Sequence, residues 1–84
     1  HALWHFLTGL IHERAGDMPR ALVSFEKSAA MDDTTAELHA YIAEVYRSVG
    51  NPTAAVTALD RAAGIAPNQQ RYRNRRNRIM RKLG

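Results

Sequence analysis

The sequence predicts an all-α fold of five antiparallel helices in a single domain of 84 residues. Three observations support this class. Apolar residues recur at helical spacing in successive segments. Alanine is abundant while valine and isoleucine are sparse, which favours helix over strand. Glycines that can end helices recur at a constant interval, because Gly16, Gly50 and Gly84 are each 34 residues apart.

The 34-residue interval extends to the apolar positions and indicates an internal repeat. Shifting the sequence by 34 aligns Ala21 with Ala55, Leu22 with Val56, Phe25 with Leu59, Trp4 with Leu38 and Tyr72, and Ile11 with Val45 and Ile79. The chain therefore reads as one repeat over residues 1–33, a second over 34–67, and the first half of a third over 68–84.

The first repeat predicts two helices. Residues 2–14 carry apolar side chains at helical spacing, and Gly16 supplies the left-handed conformation that ends a helix. Asp17 is placed to cap the second helix, which tolerates Pro19 in its first turn and is expected over residues 18–31.

The second repeat predicts two more helices, and a fifth follows. Residues 34–37 form the pattern of a capping box, in which Thr34 accepts from a backbone amide and Glu37 reaches back, before a third helix over 35–48. The fourth helix is expected from an Asn51 cap to Ile65, ahead of Pro67. Asn68 is then expected to cap a fifth helix that ends near Leu83.

A 34-residue helix–turn–helix repeat resembles the tetratricopeptide repeat family. The second repeat matches the family consensus best, at Ala43, Tyr46, Gly50, Ala55, Leu59, Ala62 and Pro67. The first repeat matches at Gly9, Gly16, Ala21, Phe25 and Ser28, whereas Asp33 stands in place of the closing proline and His5 and His39 in place of tryptophan. The resemblance implies a right-handed α–α superhelix in which the first helices of successive repeats line a concave groove.

The buried face of the first helix has two possible registers. The turn glycines place Gly9 in the small-residue position and His5 and His12 in packing positions, whereas the apolar pattern favours Trp4, Leu7 and Ile11. We expect the apolar register, because burying three large apolar groups outweighs burying two imidazoles. The remaining core is expected to contain Leu22, Phe25, Leu38, Ile42, Val45, Tyr46 and Leu59.

Residues that support catalysis or cofactor binding are missing from the pattern, so we expect neither an enzyme nor a cofactor. The chain has no cysteine, which excludes disulfides and thiolate metal sites. His5 and His12 lie about 10 Å apart along one helix and cannot share a metal ion. Asp32 and Asp33 are expected to cap the next helix rather than to act as an acid–base pair. No apolar run approaches the roughly 20 residues of a membrane span.

The net charge of +4 conceals a strong asymmetry. Residues 1–68 hold five basic and eight acidic groups, whereas residues 69–84 hold seven basic groups and no acid. Four of the seven share one helical face within about 60°: Arg71, Arg75, Arg78 and Lys82. The family geometry places this face beside Glu37 and Glu44. We favour a solvated end helix with Arg–Glu pairs, and the alternative is a wall that binds an acidic peptide or a phosphate backbone.

The resemblance implies a protein-interaction scaffold that binds a peptide, a helix or a partner subunit, as a piece of a longer repeat protein. The alternative functions are nucleic-acid or polyanion binding by the arginine-rich helix, and a regulatory module of a larger enzyme. We expect Leu3, Phe6 and Leu10 to contact another chain, an upstream repeat or a peptide, with a two-fold dimer as the form of self-contact. The candidate partner-binding residues are Leu3, Phe6, Leu10, Tyr41, Glu44, Arg71, Arg75 and Arg78. Phe6, Leu10, Tyr41 and Glu44 do not match the family's carboxylate clamp.

Overall fold

The computed structural model describes residues 1–83, which form five α-helices and no strand. The helices are α1 (Ala2–Arg14), α2 (Met18–Met31), α3 (Ala36–Ser48), α4 (Pro52–Ile65) and α5 (Gln70–Leu83). The predicted all-α class is confirmed, and the predicted bounds agree to within two residues. Gly84, the third glycine of the 34-residue series, lies outside the described residues.

The helices form two hairpins and a single final helix. α1 packs on α2 and α3 packs on α4, while α2–α3 and α4–α5 contacts join these units into one layered stack. The described chain measures 35 × 26 × 16 Å along its principal axes. Within this stack, α1, α3 and α5 are the first helices of successive units, and they position the groove considered below.

The two hairpin turns have the same construction at the 34-residue interval. Gly16 and Gly50 adopt φ of 82° and 80°, a region that other residues rarely enter. The amide of Asp17 then donates to the carbonyl of His12, which completes the hydrogen-bonded end of α1. The Asp17 carboxylate in turn accepts from the amide of Arg20. One residue therefore closes the first helix and caps the second, as Asn51 does in the second hairpin.

Two predicted caps are wrong. α3 begins at Ala36, so Thr35 and not Thr34 is the N-cap, and its side chain makes no capping hydrogen bond. The Thr34 amide and hydroxyl both donate to the Asp32 carboxylate instead, and this local turn competes with the capping box. Asn68 lies in a turn two residues before α5, too early to cap it.

Most of the predicted core is buried. The central residues are Phe25, Leu38, Ile42, Val45 and Leu59, each at most 6% exposed. Leu22 and Tyr46 are only partly buried and pack at the edge of this cluster.

The expected register of α1 is wrong. Trp4, Leu7 and Ile11 are exposed, whereas Gly9 is the one residue of α1 that is buried. The reason is the ring of Phe25, which occupies the space that a side chain at position 9 would need. The close approach of α1 and α2 at this glycine fixes the rotation of α1. The apolar side chains on the other face of α1 are therefore exposed to solvent.

Candidate functional site

The candidate site is a groove between α3 and α5 with a volume of about 610 Å³. Its walls come from the same face of each helix, so the helical period of the sequence determines which side chains enter it. The lining residues are Glu37, Ala40, Tyr41, Glu44 and Arg47 of α3, with Arg71, Tyr72, Arg75, Arg78, Ile79 and Lys82 of α5. The four basic residues predicted to share a face thus all line one groove opposite two glutamates.

The remaining arginines of α5 contact their own chain. The guanidinium of Arg76 lies 2.7 Å from the Asp60 carboxylate on α4. Arg73 donates to the carbonyl of Pro67 at 2.8 Å, and Arg81 donates to the carbonyl of Asn77 at 3.4 Å. Arg73 and Arg76 therefore tie α5 to preceding segments of the chain, Arg81 bonds only within α5, and the other four basic groups face the groove.

Glu44 is the central acid of the groove. Its Oε2 accepts a hydrogen bond from Nη2 of Arg47 at 2.9 Å, and its Oε1 lies 3.8 Å from Nη1 of Arg75. The hydrogen bond and the charge of Glu44 raise the pKa of the Arg47 guanidinium above its usual value. One carboxylate is therefore shared between two of the cations in the groove.

Three other cations in the groove have no such acid. Within residues 1–83, none of Arg71, Arg78 and Lys82 lies within 4.0 Å of a carboxylate oxygen. Arg71 instead donates to the hydroxyl of Tyr72 at 2.9 Å and lies 4.9 Å from the centre of its ring. Tyr72 is 3% exposed, so its ring cannot stack on a nucleic-acid base.

An aromatic cluster connects the groove to α1. The rings of Phe6 and Tyr41 meet edge to face at 5.5 Å, and both lie 5.9 Å from the ring of the buried Phe25. Tyr41 is therefore held rigidly at the groove wall. Its position is fixed by packing between repeats, which the spacing of residues in one helix does not reveal.

The structure places the predicted partner-binding residues in three locations. Tyr41, Glu44, Arg71, Arg75 and Arg78 meet in the groove. Leu3 and Phe6 instead line a smaller cleft of about 250 Å³ against α2 and α3. Leu10 is partly buried against the core.

A cleft on the opposite side of the stack was not predicted. About 560 Å³ in volume, it lies between α2 and α4 and is lined by Glu26, Asp33, Tyr46 and Arg61 around His39. His39 is 3% exposed, with Nε2 at 3.4 Å from the carbonyl oxygen of Asp33. One feature of the sequence indicates this cleft. His39 stands where the family usually has tryptophan, and the smaller imidazole ring leaves space.

The remaining features concern metal ligation, the acidic pair after α2 and membrane insertion. Among residues 1–83, no group of three histidine, aspartate or glutamate side chains is arranged to hold a metal ion. Asp32 binds Thr34, and these hydrogen bonds lower the pKa of its carboxyl group. No helix in this part of the chain is long and apolar enough to cross a membrane.

Comparison with known proteins agrees with this architecture. The tetratricopeptide repeat family matches residues 13–79. A solved structure, that of a thermophilic TPR protein of Thermus thermophilus named TTC0263, superposes with a TM-score of 0.85 at 28% identity. The match covers 95% of this chain but 41% of that one, so this chain spans less than half of its length. No curated protein matches the sequence. With most of its length matched in sequence and fold, the chain belongs to the tetratricopeptide repeat family.

Proposed function

We propose that the chain is a protein-interaction module whose groove between α3 and α5 binds an acidic peptide segment of a partner protein. Tetratricopeptide repeats typically serve as protein-binding scaffolds, and the stack described above presents a groove without a catalytic constellation. The observation that carries the proposal is the set of groove cations, Arg71, Arg78 and Lys82, that lack a carboxylate partner within the described residues. Carboxylates of a peptide would supply the missing charge-assisted hydrogen bonds.

The groove favours a peptide of mixed character over a uniform polyanion. At one equivalent position, the side chain is apolar in α1 (Leu3), acidic in α3 (Glu37) and basic in α5 (Arg71). A phosphate backbone would be repelled by the glutamates of α3. A peptide with apolar residues towards α1 and acidic residues towards α5 would complement all three helices. Nucleic-acid binding is therefore the second candidate, supported only by the charge of α5.

A binding measurement with two probes distinguishes these candidates. The probes are a short fluorescein-labelled peptide, with leucines in one half and glutamates in the other, and a labelled oligothymidylate. We expect fluorescence anisotropy to show tighter binding of the peptide. Tighter binding of the oligothymidylate, with a steep loss of affinity as salt rises, would support the second candidate instead.

Paired variants test whether the groove is the binding site. Replacing Arg78 and Lys82 with alanine should weaken peptide binding about tenfold or more, because each cation makes a charge-assisted contact. The matched control replaces Arg20 and Lys27, two exposed cations of α2, and removes the same net charge. Equal losses in both double variants would show that net charge alone, and not the groove, attracts the peptide.

A further inference from the structure

The cleft of about 560 Å³ between α2 and α4 has polar groups at its two ends and apolar side chains between them. His39 and Tyr46 both line it from α3, where a separation of seven residues corresponds to about 10 Å along the helix. Ile42 lies between them in the sequence and is buried, while Ala29 of α2 and Ala58 of α4 line the sides. The cleft is therefore an elongated site with an apolar middle.

One end of the cleft holds a carboxylate without a cation. Oε1 of Glu26 accepts a hydrogen bond from the Tyr46 hydroxyl at 3.0 Å. Within residues 1–83, no lysine or arginine nitrogen lies within 4.0 Å of the Glu26 carboxylate oxygens. Asp60, 34 residues after Glu26, is bound by the guanidinium of Arg76 at 2.7 Å. The equivalent acid of the next repeat therefore has the cation that Glu26 lacks.

The other end of the cleft offers a hydrogen-bond acceptor from a buried side chain. His39 is 3% exposed, and its Nε2 must donate to the carbonyl oxygen of Asp33 at 3.4 Å, because a carbonyl oxygen only accepts. Nδ1 of the neutral ring is then an acceptor, and it has no hydrogen-bond partner within residues 1–83. No fully buried nitrogen or oxygen of a side chain in that range lacks a partner, so Nδ1 is accessible from the cleft.

The same end also offers hydrogen-bond donors. Arg61 and the Asp33 side chain line it together with His39. In the described part of the chain, no nitrogen of Arg61 lies within 4.0 Å of a carboxylate oxygen. Arg61 and Nδ1 of His39 therefore present a donor and an acceptor side by side, which is the pair that a peptide group complements.

We propose that this cleft binds a lysine residue of a partner protein, with its ammonium group at Glu26 and its backbone amide groups at His39 and Arg61. The ammonium supplies the cation that Glu26 lacks. The four-carbon stem of the lysine covers Ile42 between the two ends. A backbone N–H of the partner donates to Nδ1 of His39, and a backbone carbonyl accepts from the guanidinium of Arg61.

Other cationic ligands fit the cleft less well. A diamine would place its second ammonium beside Arg61, where like charges repel. A compact cation bound at Glu26 would leave the apolar middle and Nδ1 of His39 uncovered. The cleft lies on the opposite side of the stack from the groove and selects a cation where the groove selects acids. This binding is therefore independent of the peptide binding proposed above.

The test compares two peptides that differ in one charge. The first is a glycine–serine peptide with one central lysine, and the second has norleucine at that position, which keeps the stem and removes the ammonium. Nuclear magnetic resonance titrations of the ¹⁵N-labelled chain at mildly alkaline pH measure both affinities. We expect the lysine peptide to bind several-fold more tightly and to shift the Nδ1 signal of His39 upfield, as a hydrogen bond accepted by that nitrogen does.

Paired variants locate the two ends of the bound lysine. Glu26→Gln should weaken binding of the lysine peptide several-fold, because it removes the partner of the ammonium. Glu13→Gln on α1 makes the same change in net charge outside the cleft and should have little effect. Arg61→Met should also weaken binding, although it removes a positive charge, because the peptide carbonyl loses its donor. Circular dichroism checks that each variant keeps its helices.

Four results would overturn the proposal. Equal binding of the norleucine peptide would show that the ammonium is not recognised. Equal losses in Glu26→Gln and Glu13→Gln, or tighter binding by Arg61→Met, would show that the peptide responds to net charge. A larger loss in Asp33→Asn than in Glu26→Gln would place the ammonium at the wrong end of the cleft. Free lysine that binds as tightly as the peptide would show that the site serves a small molecule instead of a partner protein.

Discussion

The ring of Phe25 lies against the backbone of Gly9. A Cβ atom at Gly9 would lie 2.6 Å from both Cδ1 and Cε1 of that ring, well inside van der Waals contact. Phe25 is fully buried and contacts Phe6 and Tyr41, so its ring has no free space into which to move. The absence of a side chain at Gly9 therefore allows α1 and α2 to pack closely.

Gly9→Ala is expected to lower the free energy of unfolding, because the added methyl group overpacks the helix interface at a cost of about 1–3 kcal/mol. Alanine gains about 1 kcal/mol over glycine inside a helix, so the net loss should be up to about 2 kcal/mol. Gly64→Ala in α4 is the matched control, since a Cβ there meets nothing within 4 Å and should stabilise slightly. Urea denaturation of the two variants measures both changes, and a stabilised Gly9→Ala would contradict the packing.

A second substitution is expected to rescue the first. The second repeat holds Ala43 and Leu59 at the positions of Gly9 and Phe25, and both are buried. Phe25→Leu should therefore make room for Gly9→Ala, with a favourable coupling of about 0.5–3 kcal/mol in a double-mutant cycle. Strict additivity of the two changes would show that they do not meet.

Phe25→Ala is expected to cost about 3–5 kcal/mol of unfolding free energy, because it removes a fully buried ring and leaves a cavity. That is a large part of the roughly 5–15 kcal/mol available to a typical domain. Denaturant unfolding followed by circular dichroism measures it. A loss under about 1 kcal/mol would be incompatible with the core position of the ring.

The bounds of the helices could be predicted from local sequence signals, whereas the rotation of α1 could not, because it depends on packing between distant residues. Gly16, Asp17 and their equivalents in the second repeat act through their own turn, so their effect can be read from neighbouring residues. The rotation of α1 depends on the contact of Gly9 with Phe25, which lies 16 residues further along the chain. It also depends on which helices pack on each face of α1. Counting apolar residues in α1 could therefore not place Trp4.

The sequence predicted which residues face the groove but not which of them form ion pairs. The helical period placed Arg71, Arg75 and Arg78 on one face, and the family resemblance placed that face opposite Glu44. The engagement of Arg75 by Glu44, and of Arg76 by Asp60, depends on side-chain geometry between helices. The sequence could therefore not distinguish the cations that hold α5 from those that face the groove.

The Tyr46–Glu26 contact predicts a stability change at alkaline pH. The hydrogen bond to Glu26, followed by burial and the negative charge of Glu26, raises the pKa of the Tyr46 hydroxyl. A raised folded-state pKa contributes stability that is present below the unfolded value, about 10, and is lost as pH rises through the folded value.

Tyr46→Phe should therefore be less stable than the parent by roughly 0.5–1 kcal/mol at neutral pH. The difference should shrink as the pH rises above about 10, because only the parent loses the contribution. Urea unfolding of both proteins across this range measures the change. A difference that stays constant with pH would show that the Tyr46 hydroxyl is not the titrating group.

Glu44 is expected to restrain the groove against acidic ligands. Its carboxylate contacts Arg47 at 2.9 Å and lies 3.8 Å from Arg75, so it competes with a ligand carboxylate for both cations. Glu44→Gln keeps the shape of the side chain and removes its charge. We therefore expect tighter binding of the leucine–glutamate peptide by several-fold, with the gain largest at low salt because these charges are partly solvated.

Glu13→Gln on α1 makes the same change in net charge outside the groove and serves as the control for the Glu44 variant. Anisotropy titrations at two salt concentrations compare the two proteins. If the peptide binds in the groove, only Glu44→Gln gains affinity, and the gain disappears when Arg75 is also replaced with alanine. A gain that is equal in both single variants, or that survives the loss of Arg75, would show that the peptide responds to net charge and that Glu44 does not control the site.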